Sequence, residues 1–406
     1  MAIKSSNYDP YLIILFIFLF IRPISLLLYG KGSGQGIAIA EYFAITSTYL
    51  LILAFILRIR YLRFDSLSIL IIGFISYATL SILWGSHVRD LARLLMPFFV
   101  FFATRVLVKN RRDIKACLTF LILGYIYPIL SSAWMIIRGQ GVDTVGYYSG
   151  LIRFRGAMSG SHTLGHSMTF FIFICTSFVD RLGDRKTIQK LGLVALSLLA
   201  LFCVYKSFTR TVYVGLLTFS CIYLWHINKK LLFVIFIILF TVSVYKMDYV
   251  RQIIFQVQDP QMKIIELDFA SSGRLSLWKY NLKIFIQSPL EKKLIGNGVG
   301  SETKPRLAEA RSTPVSSHND YISLLVTLGI FGLVIYLCIL AVLVKDIFSS
   351  DIDKRVKWYF MAFITSIIIM NATSNSYISR FELAQFFWFL IGVFYTIQDS
   401  HISENK

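Results

Sequence analysis

The chain reads as long apolar runs separated by short polar turns almost from end to end. A run of about 20 apolar residues is long enough to cross a bilayer as a helix. Spans are expected at 11–29, 36–57, 66–84, 91–108, 116–137, 163–180, 191–206, 211–227, 231–246, 319–344, 358–371 and 381–397. That is about twelve helices, several of them shorter than ideal. The first run contains Arg22-Pro23 and has no small-residue cleavage site, so it is read as a retained helix and not a signal peptide. The pattern predicts an all-α polytopic membrane protein in three parts. Residues 1–246 carry the first helices, 247–318 form one large loop, and 319–406 carry the last helices.

The polar turns alternate in basic content. Arg58, Arg60 and Arg63 fall on one side, with Lys109, Arg111, Arg112 and Lys115. Arg181, Arg185, Lys186 and Lys190, then Lys229 and Lys230, then Lys354, Arg355 and Lys357 fall on that side too. By the positive-inside rule this side is the cytoplasm, and both termini lie there. Composition agrees: 56% hydrophobic residues, 16% charged and a mean hydropathy of +0.67 exclude a soluble globular domain. The net charge of +19 is dispersed over the turns, as membrane topology requires, so no nucleic-acid face is expected. Cys117, Cys175, Cys203, Cys221 and Cys338 all lie within apolar runs and read as packing residues.

Two outer loops, roughly 138–162 and 247–318, are long for a compact bundle, which marks them as functional. The second contains SSGRLSLWKYNLKIFIQSPL, with Leu275, Trp278, Leu282 and Phe285 on one helical face. Ser272-Gly273 can start that helix and Ser288-Pro289 can end it, giving an amphipathic lid across the mouth of the bundle.

Candidate chemistry gathers on the same side. In SSHNDYISLLVTLGIFGLVIYL a polar cluster opens directly into an apolar span, placing His318 and Asn319 at the membrane surface. His318 there suits a general base; the plainer alternative is a polar helix start capped by Ser317 or Asn319. Arg210 sits at a tight outer turn and Arg274 opens the amphipathic helix, against its dipole. Two guanidiniums near one imidazole suit an anionic leaving group such as a diphosphate; snorkelling and a solvated helix start are the alternatives. Asn319, Lys206 and Arg311 are expected to contact the substrate.

Other polar features have simpler explanations. Arg22, Glu41, Arg93 and Arg105 are expected to pair inside the bundle, with Arg22–Glu41 one such pair. His162 and His166 have the i, i+4 spacing of a metal pair but no third ligand, and Asp351 and Asp353 have a DxD spacing in a cytoplasmic turn. The glycines of GKGSGQG and GNGVGSE lack the strand, helix and lysine of a phosphate loop. Asn371-Ala-Thr373 is a glycosylation sequon only where a compartment reads it. No metal and no cofactor are expected.

The stretch HNDYISLLVTLGIFG, with Gly329 and Gly332, resembles the hallmark motif of the bacterial O-antigen ligase and O-antigen polymerase superfamily. TRTVYVGL, GRLSLWKYNLKIFIQSPL and IGNGVGS extend the likeness over roughly residues 200–340. The resemblance implies a GT-C-like, metal-independent, inverting glycosyltransferase of the bacterial inner membrane. Its donor would be a glycan on undecaprenyl diphosphate at the periplasmic face. Its acceptor would be a saccharide, either a second lipid-linked repeat unit (polymerase) or the lipid A core (ligase). A chain-length regulator protein is a candidate partner. By motif, His318 would be the base or acceptor-positioning residue, kept neutral by its helix N-terminus, while Arg210 and Arg274 would hold the leaving diphosphate. The SHNDY form favours the polymerase. A transporter also fits the helix count, but no inverted repeat of broken helices is apparent.

Overall fold

The computed structural model describes residues 8–28, 39–145, 152–180, 187–246, 274–301, 317–375, 378 and 380–404. Among these the chain is a helical bundle. Helices α1 (Pro10–Ser25), α2 (Ile39–Arg58), α3 (Ser66–Leu80), α4 (Val88–Leu107) and α5 (Arg111–Ile137) form its first part. A hairpin of β1 (Val142–Val145) and β2 (Ile152–Phe154) leads to α6 (Ser161–Asp180), α7 (Thr187–Ser207), α8 (Arg210–Ile227) and α9 (Lys229–Tyr245). Then come α10 (Arg274–Gln287), the short α11 (Leu290–Ile295), α12 (Asp320–Ser349), α13 (Lys354–Thr373) and α14 (Phe381–Glu404). A helix lies at each expected span. Seven of the described helices are long and apolar enough to cross a membrane by length and composition: α1, α3, α5, α7 and α12 to α14.

Helix starts at one end follow sequence rules. Asp9, Asp65, Asn110 and Asp353 each cap a helix through a side-chain oxygen that accepts from a backbone N–H one turn on. The DxD aspartate Asp353 therefore serves the start of α13. Arg58 and Lys109 pair with Asp9 at 2.9 and 3.4 Å, and Arg105 pairs with Asp65 and Asp399 at this same end.

Apolar burial cannot drive helices together where the solvent is itself apolar, so close packing must. Small residues supply it. A Cβ on Gly124 would collide with the Phe20 carbonyl at the α1–α5 crossing, and one on Gly392 would meet Thr104 at the α4–α14 crossing. Helix α14 is the enclosed centre: Trp388 is 2% exposed and packs against Phe98, Phe101 and Phe387. Large apolar side chains such as Leu53, Leu198 and Phe240 are left on the outside of α2, α7 and α9, where lipid would lie. Arg22 is buried and donates to Gln385 Oε1 and to Ser25 Oγ, both at 2.7 Å, tying α1 to α14. The Glu41 side chain expected to pair with it lies outside the described residues.

The span beginning at Asp320 is not one continuous helix. At Gly329 the backbone turns to φ 68°, ψ −169°, and the helix breaks. The segment after α11 docks into the break. Asn297 N–H donates to the Val326 carbonyl (3.0 Å) and Gly298 N–H to that of Thr327 (2.8 Å), while Tyr77 Oη donates to that of Leu328 (2.8 Å). The carbonyls freed by the break are thereby satisfied, as a membrane interior demands. The same segment is pinned on its far side, where His87 N–H donates to the Val299 carbonyl and Val299 N–H to Ser86 Oγ. The glycines of GNGVGS thus have a packing role.

Candidate functional site

The end of the bundle opposite the aspartate caps gathers the starts of α6, α8, α10, α12 and α14 and the end of α13. Helix N-termini carry unsatisfied N–H groups and partial positive charge, so this end suits an anion. Two turns there are strained. Among the described non-glycine residues, only Phe208 (φ 47°) and His318 (φ 50°) are left-handed. Phe208 lies in the turn that delivers Arg210, and His318 immediately precedes the cap of α12. Such backbone concentrates at working sites because the surrounding structure must hold it.

Asn319 is the cap of α12. Its Oδ1 accepts from Tyr321 and Ile322 N–H at 3.0 and 3.1 Å, and its Nδ2 donates to the Ala372 carbonyl at 2.7 Å, fixing α12 to the end of α13. Ser317 Oγ donates to the Asn319 carbonyl, and Asp320 Oδ2 accepts from Ile378 N–H. With both neighbours held, the half-buried His318 has a defined place. Burial first, then the charges of Arg274 and Arg380, lowers its pKa from the ordinary histidine value to about 4. The sequence expectation credited the helix N-terminus with keeping this ring neutral; burial and two guanidiniums are the physical cause.

Arg274 is the first residue of α10. Its Nη1 donates to Thr211 Oγ1 on α8 (3.2 Å) and to the Thr373 carbonyl that ends α13. Burial, then the like charge of Arg153, lowers its pKa, but a guanidinium stays protonated regardless. Arg210 begins α8, and the charges of Arg274 and Arg153 bear on it. A group of like charges this close favours an anion among them. Lys206 ends α7 with its ammonium over the ring of the exposed Tyr205. Arg311 lies outside the described residues, as does the loop from 247 to 273.

Several contributors were not read from sequence. Arg380, ahead of α14, donates to Thr163 Oγ1 (3.0 Å) and to the Asn375 carbonyl (3.1 Å). Arg153 lies on β2, and Asp143 on β1 accepts from Ser161 N–H at 2.8 Å, starting α6. The loop expected at 138–162 is therefore a hairpin built into the site. His162 and His166 on α6 lie within electrostatic reach of both Arg380 and Arg274. A basic residue beside a helix start was a usable signal for Arg380. Nothing in the sequence placed the hairpin.

Two expectations change. The buried face of α10 carries Leu277 and Asn281, whereas Leu282 is 37% exposed, so the amphipathic face is rotated from the one the apolar spacing suggested. The sequon asparagine Asn371 is fully buried within α13 and cannot accept a glycan.

Comparison with known families matches one part of the chain. Residues 195–337, about a third of the chain, match the family model described as O-antigen ligase. No curated protein matches the chain. The resemblance to the O-antigen ligase superfamily is thus shown for a segment running from within α7 into α12, which includes Arg210, Arg274 and His318. It supports glycan transfer of the ligase or polymerase type in general, by a multi-pass membrane protein. Arg153, His162 and Arg380 lie outside the matched segment.

Proposed function

We propose that this chain is a glycosyltransferase of the bacterial inner membrane, moving a saccharide from undecaprenyl diphosphate to a sugar hydroxyl at the periplasmic face. The observation that carries this reading is His318: a half-buried imidazole on left-handed backbone, with guanidiniums bearing on it from two elements. A neutral imidazole can take the proton of the attacking hydroxyl. The acceptor oxygen bonds to the anomeric carbon as the bond from that carbon to the phosphate oxygen breaks. The electron pair leaves with the diphosphate, whose added charge Arg210 and Arg274 offset. Attack opposite to the leaving group inverts the anomeric centre. The donor already stores the energy, so the residues need only position, neutralise and remove one proton.

The acceptor separates two readings. The SHNDY form of the motif favours a polymerase, whose acceptor is another lipid-linked repeat unit. A ligase would instead use the lipid A core as acceptor, and the family match is compatible with both. Deleting the gene decides between them. A single repeat unit on the lipid core marks a lost polymerase, and accumulated lipid-linked polymer marks a lost ligase.

A further inference from the structure

The site has a second wall, made of different chemistry. On one side stand Arg210, Arg274 and Arg153, each bearing on another. Beside them stand the first turn of α6 and the start of α14, and Thr209 Oγ1 in the turn before Arg210 donates to the Ser161 carbonyl that begins α6. Arg380 spends two N–H groups on Thr163 Oγ1 and the Asn375 carbonyl, and has no carboxylate partner among the described residues. Thr163 Oγ1 also accepts from Ser159 Oγ at 3.2 Å, so with both lone pairs engaged its own O–H is left to donate elsewhere. His162 Nδ1 is buried without a hydrogen-bond partner among the described residues. A buried polar atom left unpaired in the protein is an unusual and costly feature.

We infer that His162, Thr163 and Arg380 form the subsite for the acceptor saccharide, leaving Arg210 and Arg274 to the donor diphosphate. The inference rests on the glycosyl-transfer reading above. A diphosphate is a dense anion that calls for several cations, and the wall of Arg210, Arg274 and Arg153 offers them. A sugar presents hydroxyls that donate and accept at once. An imidazole nitrogen, a free hydroxyl proton and spare guanidinium N–H groups answer that mixed demand. Asn319, the neighbour of His318, holds the Ala372 carbonyl while Arg380 holds that of Asn375 three residues on, so a hydroxyl bound at Arg380 lies near the ring that would take its proton. The plainer reading makes Arg380 a strut for the start of α14 and His162 a filler.

The experiment uses the full chain in vesicles of phosphatidylethanolamine and phosphatidylglycerol. Two quantities are measured for R274Q, R380Q, R380K and H162Q. One is binding of undecaprenyl diphosphate itself. The other is transfer from saturating donor, lipid-linked repeat unit extracted from a deletion strain, to free repeat-unit oligosaccharide as titrated acceptor. R380Q and H162Q should raise the half-saturating oligosaccharide concentration about 10-fold, roughly the loss of one hydrogen bond to a charged or buried group. Both should leave undecaprenyl diphosphate binding unchanged, while R274Q weakens it. R380K should recover part of the loss. R380Q should also move the acid limb of activity to higher pH. Arg274 is the other charged group that bears on His318, Asp320 lies two residues on with its carboxylate held by Ile378 N–H, and both are unaltered in that variant. Weakened undecaprenyl diphosphate binding in R380Q, or an unchanged acceptor requirement in both R380Q and H162Q, overturns the inference. If R380Q does not fold, H162Q decides alone. No transfer by the wild-type chain to any saccharide acceptor would instead sink the glycosyl-transfer reading, a separate result.

Discussion

Asn297 binds one carbonyl twice: its backbone N–H and its Nδ2 both donate to the Val326 oxygen, at 3.0 and 3.2 Å. This grip closes the break in α12 and joins the outer loop to the helix that His318 precedes. Asn297→Ala keeps the backbone bond and loses the other, so thermal stability should fall by about 1 kcal/mol. Gly329→Ala is far worse. Its Cβ would strike the Leu294 carbonyl, and alanine resists the left-handed φ of 68°. It should lower stability by at least about 2 kcal/mol or prevent insertion. Gly73 faces open space within its helix, and Gly73→Ala should be neutral or stabilising by up to about 1 kcal/mol. Thermal melts of the solubilised variants check the order.

Arg210→Lys and Arg274→Lys should each insert normally and lose transfer by roughly tenfold or more, because an ammonium cannot reproduce the bidentate fork. Binding of undecaprenyl diphosphate should weaken in parallel. With arginines holding the leaving group, added chelator should leave transfer unchanged. Inhibition by chelator would bring Asp351 and the His162–His166 pair back as metal ligands.

The pH dependence follows from His318. Transfer needs the neutral ring, and the pKa of about 4 puts the acid limb near that value, well below the ordinary histidine range. The sign for stability is the opposite of a histidine in a salt bridge, whose folded pKa is raised. Between the unfolded value near 6.5 and about 4, the unfolded chain binds a proton that the folded chain does not. This group therefore weakens folding as pH falls through that window. An acid limb near 6.5 would mean that neither burial nor the charges of Arg274 and Arg380 act on the ring.

Topology gives an independent check. With the basic turns in the cytoplasm, an alkaline phosphatase fusion at Gly298 should be active and one at Asp184 inactive. The reverse pattern would put His318 on the wrong side for a periplasmic donor.

The bundle was legible because bilayer thickness forces a long apolar run for every span. The region around His318 was legible because a polar cluster opening into an apolar run can only sit at a surface. The Gly329 break was not legible. A single glycine in an apolar run reads as a packing residue, and only the distant Asn297 and Tyr77 reveal that the backbone leaves the helix there. Arg380 and Arg153 were missed for a similar reason. Their neighbours Thr163 and Asp143 are remote in sequence, and no local spacing joins them. The face of α10 was misjudged because apolar periodicity assumes a polar exterior, whereas here the exposed side can also be apolar.

The most direct measurement is transfer by His318→Asn in vesicles with a lipid-diphosphate donor. Asparagine tolerates left-handed backbone, so the turn before α12 is preserved while the base is removed. The account predicts transfer lower by roughly 10²–10⁴-fold, with undecaprenyl diphosphate binding intact. Transfer near the wild-type rate by a correctly inserted His318→Asn protein would contradict it.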